Sequence, residues 1–184
     1  MSGLSYSAAT AVEQAAAYIA ALEAALGDRD PMHVLAEMPA SLRRATAGLS
    51  AQQAATPERP GKWSIAQVVQ HLADSDLIGG FRYRMVLAHD RPALPGYDQD
   101  RWATRLHYDD ADLETALREF AVLREANLRV LERATAEDLQ RVMVHAERGD
   151  ESLSKMIRTY AGHDVVHLRQ IARIRQAIGA TSAV

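Results

Sequence analysis

The chain is 184 residues long, with 21 Lys and Arg against 24 Asp and Glu for a net charge of −3, and it has no cysteine. Disulfides, Cys-ligated zinc, iron–sulfur clusters and a cysteine nucleophile are thereby excluded, and the charge balance is not that of a nucleic-acid binder. Hydrophobic residues make up 48% and aromatics only 5%, so the apolar mass is aliphatic and alanine-rich, which favours helix over disorder.

The longest apolar stretch, Ala15 to Leu26, is interrupted by Glu23. It is too short to cross a bilayer and lacks the basic start of a signal peptide. The expectation is a cytoplasmic protein whose partner is a small-molecule substrate, with no membrane and no nucleic acid involved.

In chain order, Ser7 to Leu26 reads as a helix ended by Gly27. Asp30 and Pro31 cap and open a second helix that runs to about Leu49, interrupted, if anywhere, near Pro39. Pro57, Pro60 and Gly61 make 56–62 a loop. Ser64 with Gln67 three residues on is a capping box, and Trp63 and Val68 flank it as a hydrophobic staple. That helix runs to about His89. From Asp90 to Tyr108, Pro92, Pro95 and Gly96 mark a long connection in which Asp98 caps a single helical turn. Such a connection is where a bundle places a crossover or a lid. Asp109 or Asp110 starts the next helix, which reaches about Arg133. Thr135 to Leu139 is a short helical turn, and Gln140 to Asp150 is irregular. Asp150 or Ser152 starts the last helix, which ends at Ile178 before Gly179. No segment sustains period-two alternation. The fold expected is therefore all-α: an antiparallel four-helix bundle over residues 30–184, with an extra N-terminal helix over residues 1–29.

Wound at 100° per residue, the last helix has a buried stripe of Leu153, Met156, Ile157, Ile171, Ile174 and Ile178, and His163 and His167 fall within it. Four residues apart, the two Cβ atoms stand about 5–6 Å from each other. The rings can then share one metal ion at about 2.0–2.1 Å. The plainer alternative is a pair of hydrogen-bonded core histidines. Two adjacent buried imidazoles, however, each need a donor and an acceptor, and one ion satisfies both facing nitrogens. His71, on the flank of the apolar stripe of its own helix and beside Ser75, offers a third imidazole. Three histidines from two helices leave coordination positions open, which is the pattern of catalytic rather than structural sites, and imidazoles suit Zn²⁺ or Ni²⁺ equally.

Asp164 lies on the same stripe as His167. It serves either as a carboxylate on a ligand's distal N–H, as a catalytic base, or as a buried partner for an arginine. Asp74 reads as an exposed helix charge, Tyr160 as core, and Asp98 and Asp100 as caps. His33, His89 and His107 read as surface. Arg82 shares the flank of His71; a salt bridge is its first reading and an anionic substrate its second.

Trp63-Ser64 followed by His71-Leu72-Ala73-Asp74 resembles the second-helix signature of the DinB-like family of bacterial four-helix bundles. His163-Asp164-x-x-His167-Leu168-x-Gln170-Ile171 is similar to its last-helix signature. Gly96-Tyr97-Asp98-Gln99-Asp100-Arg101-Trp102-Ala103 is similar to a loop motif in one branch. The resemblance spans Asp30 to Ile178 and leaves the first helix uncovered. It implies a divalent metal on His71, His163 and His167, an up-down-down-up topology and a tendency to form homodimers. A histidine near position 145, here His145, is common in the family, with a local hydrogen-bonding role. The resemblance also implies one of two reactions: metal-dependent hydrolysis, or transfer of an exogenous low-molecular-weight thiol to an electrophile by a thiol S-transferase. The alternatives are a non-catalytic bundle that binds a metal or small ligand, and a structural domain that acts through dimerisation.

Overall fold

The computed structural model describes residues 8–146 and 148–180, with the backbone alone for residues 8–15. Among the described residues seven α-helices carry the fold: α1 (Ala8–Leu26), α2 (Pro31–Thr46), α3 (Ala51–Ala55), α4 (Ile65–Ala88), α5 (Gln99–Arg105), α6 (Leu113–Leu131) and α7 (Leu153–Ala177). The expected start of the first helix at Ser7 lies outside the described residues.

Local chemistry sets most helix ends. Asp30 accepts from the Met32 N–H, with Pro31 opening α2. At α4 the capping box is complete: Gln67 N–H donates to Ser64 Oγ, and Ser64 N–H donates to Gln67 Oε1 at 2.8 Å. Ser152 caps α7 by accepting from the Lys155 N–H. Each such side chain satisfies a donor that the helix itself leaves orphaned.

Several boundaries differ from expectation. α2 passes unbroken through Pro39 but stops at Thr46, and a second capping box at Ser50 and Gln53 opens the separate helix α3. Asp98 caps the seven-residue α5 rather than a single turn. α6 is opened by Asp112, because Asp109 and Asp110 are used in a 3₁₀ turn at Tyr108–Asp110. The short turn after α6 is a 3₁₀ helix at Asp138–Gln140.

The segment expected to be irregular forms a small sheet of β1 (Ala93–Leu94), β2 (Val142–His145) and β3 (Gly149–Ser152). β2 and β3 make an antiparallel hairpin with Val142 opposite Ser152. β1 adds in parallel, with Ala93 opposite Val144. The strands are too short for alternation to stand out in the sequence, although Met143 and His145 do alternate inward.

α4 packs against α6 and α7, and α2 packs against the same two, so α2 and α4 stand diagonally across the bundle. The apolar core is in two parts. One gathers Val68, Leu72, Phe120, Ile171 and Ile174; the other gathers Tyr83, Val86, Met143, Leu153 and Met156. Buried polar side chains of α4, α6 and α7 lie between these two parts in the sequence of each helix: Asp76, Arg124, His163 and Asp164 among them. α1 lies on α7. A Cβ at Gly162 would collide with the Leu22 carbonyl, so the close approach of these helices requires glycine there.

Candidate metal centre

α4 and α7 bring three imidazoles together. His71 Nε2 lies 3.1 Å from His163 Nε2, which lies 3.1 Å from His167 Nε2. The three ligand atoms all fall within 4.8 Å of one another, and all three residues are buried. The four-residue spacing on α7 supplies one pair, and the packing of α4 on α7 supplies the third ring.

The donor chemistry fits a divalent cation. Ligands about 2.0–2.1 Å from a common ion stand roughly 2.9–3.4 Å apart, the separation found for two of the three pairs. His167 Nδ1 lies 2.8 Å from Gln170 Oε1. Protonated Nδ1 would donate to that oxygen and leave the Nε2 lone pair facing the cluster. His71 Nδ1 is buried with no hydrogen-bond partner. Burial pushes the His71 imidazole down to about 3 and His167 to about 4, and holds His163 well below its ordinary range. All three are therefore neutral at pH 7. Three neutral rings with Nε2 atoms converging on one point cannot satisfy one another by hydrogen bonds alone, whereas one cation satisfies all three.

The surroundings are asymmetric. Trp63, expected only to staple the helix start, packs its ring 5.0 Å from that of His71 and closes one side. On the other side a cavity of about 480 Å³ opens onto His71 and His163, with Ser75, Tyr97, Tyr160 and Arg82 in its walls. Ser75 Oγ lies 2.9 Å from the Tyr97 hydroxyl and 3.5 Å from His71 Nε2. α1 contributes Tyr18, Ile19 and Leu22 to the same cavity. Gly79 lets the Tyr160 ring lie directly on α4; a Cβ there would stand 2.9 Å from the ring.

Asp164 is not turned to a histidine in any hydrogen bond. Arg124 Nη1 donates to its Oδ2 at 2.6 Å and Nη2 to its Oδ1 at 3.1 Å, the arginine pairing that was one of its readings. Arg124 also donates to Asp76 and to the Leu35 carbonyl. Burial holds the Asp164 carboxyl up, to about 6, against the pull of Arg124.

Other expectations need correction. Asp74 is half-buried and accepts from the Tyr108 hydroxyl, because the 3₁₀ turn after α5 folds back onto α4. Tyr160 packs on the core as expected, against Tyr83, and also forms part of the cavity wall. Arg82 makes no salt bridge among the described residues; it donates to the Pro95 carbonyl, the Tyr160 hydroxyl and His145 Nε2. His145 is buried on β2 beside it. His33, His89 and His107 are exposed. Arg148 and His145 reach the cavity through the hairpin, which no periodicity announced.

Three converging imidazoles beside a cavity, in a mostly helical bundle, make this a bundle with a candidate metal centre. Comparison with known proteins agrees. Residues 35–171 match the DinB superfamily, and this chain belongs to it. A Bacillus licheniformis protein named "Putative metal-dependent hydrolase" is 34% identical over 148 residues, covering 79% of this chain and 83% of its own. A Geobacillus thermodenitrificans protein of the same name is 32% identical over 145 residues, covering 78% and 81%. YfiT from Bacillus subtilis, a solved structure described as "a probable metal-dependent hydrolase with an unusual four-helix bundle topology", superposes with a TM-score of 0.73 at 25% identity, covering 98% of this chain and 94% of that one.

Proposed function

We propose that the chain is a metal-dependent enzyme in which His71, His163 and His167 hold one divalent ion, Zn²⁺ or Ni²⁺, and leave its remaining positions facing the cavity. The carrying observation is the convergence of three neutral Nε2 atoms at 3.1 Å contacts beside that cavity. A divalent ion held there supplies Lewis-acid activation of a water or thiol nucleophile near neutral pH. The residues around it do the rest. Gln170 fixes the His167 ring. Trp63 keeps bulk water from the far side of His71. Ser75 and the Tyr97 hydroxyl form a hydrogen-bonded pair at the His71 edge, placed to orient a bound substrate oxygen. Asp164 acts as a positioning carboxylate that ties α7 to Arg124, since both of its oxygens are engaged there.

Hydrolysis is favoured by the names its relatives carry. Thiol transfer requires an external thiol, because the chain has no cysteine. Elemental analysis of the purified protein is expected to find about one divalent ion per chain, lost in His163→Ala. Loaded protein is then assayed with activated esters and amides, and with low-molecular-weight thiols plus a generic electrophile. Less than a tenth of an equivalent of any ion, without tight rebinding, overturns the metal reading. A full equivalent without turnover in either panel leaves a binding bundle.

A further inference from the structure

Arg82 is 5% exposed, yet the groups it touches are all neutral acceptors: Nη2 donates to the Pro95 carbonyl at 2.8 Å and to His145 Nε2 at 3.3 Å, and Nη1 donates to the Tyr160 hydroxyl at 3.3 Å. Three of its five N–H groups are thus used, and no carboxylate among the described residues answers its charge. A buried cation without a counter-charge is costly, and a bound anion would relieve that cost.

The cavity that Arg82 lines contains no acidic residue among its described walls. Its other arginine, Arg148, spends its charge on Glu151 through two 2.8 Å hydrogen bonds, and Glu151 is 1% exposed. A second groove, under α5, also touches Arg82. Its one acid, Asp98, is occupied in capping α5 through the Asp100 and Arg101 N–H groups. Arg82 thus lines the cavity shared with His71 and His163, and in neither space does a described carboxylate answer its charge. Arg82 lies three turns beyond His71 on α4, about 16 Å along the axis. Its side chain leans back towards the helix N-terminus, and so towards His71. The walls of the same cavity include Tyr97, Tyr160, Ile19 and Leu22, which are aromatic or aliphatic.

We infer that the substrate is an organic anion: an apolar body held among these side chains, with a carboxylate or phosphate at one end paired to Arg82 and the reacting group at the other end beside the three histidines. Held by Pro95, Tyr160 and His145, the guanidinium is already oriented, so little is lost in fixing it when the anion arrives. The inference rests on the reading of the three-histidine site as the reaction centre, and its test is independent of turnover.

The probes are 3-phenylpropionate and its neutral amide, which share a shape and differ in charge, with phenyl phosphate to separate carboxylate from phosphate recognition. Binding to the purified protein is measured by titration calorimetry. One of the acids is expected to bind at least about tenfold more tightly than the amide, the scale on which removing one partner of a buried charge pair acts. Arg82→Gln is expected to abolish that preference, Arg82→Lys to retain part of it, and metal content to stay unchanged in both. Equal binding of acids and amide by the wild-type protein overturns the inference. So does a preference that survives in Arg82→Gln, since the anion would then be held by the metal or elsewhere. Should Arg82→Gln fail to fold, the wild-type comparison and Arg82→Lys decide. A protein without metal that still prefers the acid through Arg82 keeps this inference and loses the proposed function. A metal-loaded protein with no preference loses only this inference.

Discussion

His145 shows how a single side chain acquires a charge state from its neighbours. Burial, then Arg148, then Arg82 push its imidazole down to about 4, with Glu151 on β3 opposing them. Unfolded, the same ring titrates near 6.5. The folded state therefore disfavours the proton, and the resulting stability is present above pH 6.5 and is lost as pH falls towards 4. Denaturant titrations of the wild type and His145→Gln across that window are expected to show the wild type losing more stability on acidification; parallel curves would refute the assignment. At this scale the three cluster histidines were legible in the sequence. Two shared one helix face four residues apart, and the third followed an unambiguous capping box that fixed its helical phase. Arg82 was legible only as a choice between salt bridge and ligand. Its solution depended on Pro95 and His145, which come from a connection and a hairpin that have no helical phase to read.

Among the elements, helix starts with a side-chain cap were readable to within a residue or two, because the cap is a local hydrogen bond. The start of α6 differs from expectation because three aspartates, Asp109, Asp110 and Asp112, lie close together, and the choice among them is made by the fold of the 3₁₀ turn onto Asp74 rather than by local chemistry. The hairpin is hard to read in the sequence because its four-residue strands are too short to show alternation, and β2 draws its second edge partner from Pro92 and Leu94, fifty residues away. The tie between α4, α6, α2 and α7 was legible at one end only: an arginine partner was among the readings of Asp164, but which arginine, and its second carboxylate Asp76, were not. Arg124 bridges Asp76 at 2.8 Å and Asp164 at 2.6 Å, and all three side chains are almost wholly buried. Two carboxylates hold the Arg124 charge in place against the cost of burying it. Arg124→Met would leave both carboxylates buried and unanswered. The expected cost is about 3–5 kcal/mol of unfolding free energy, read as a lower urea midpoint at unchanged slope. A loss below about 1 kcal/mol would show that the network is relieved by water or by protonation.

For the molecule as a whole, the proposed metal site would couple ion binding to folding. The three-imidazole cluster exists only when α4 and α7 are packed, so an ion bound there stabilises the native state. At a free concentration one hundred times its dissociation constant the gain is about 2.7 kcal/mol. For a chain of this length that corresponds to a rise of roughly 5–10 °C in Tm. Thermal melts of chelator-treated protein, with and without added Zn²⁺ or Ni²⁺, are expected to show this rise in the wild type and none in His163→Ala. The all-helical plan was readable from composition and punctuation. The split of the core was legible only on α7, where His163, Asp164 and His167 interrupt the apolar stripe; that Asp76 and Arg124 meet it there depends on how the helices pack.

One feature of that assembly bears on how such proteins diverge. The first helix sits outside the stretch that matches the superfamily, residues 35–171, yet it is pressed onto α7 at Gly162 and supplies Tyr18, Ile19 and Leu22 to the chamber beside the histidines. The shared signature thus fixes the reactive hub, while part of the mould around the guest is drawn from a portion of chain the signature leaves unconstrained. Kin with the same hub are then free to accept differently shaped guests by rewriting that one outer helix.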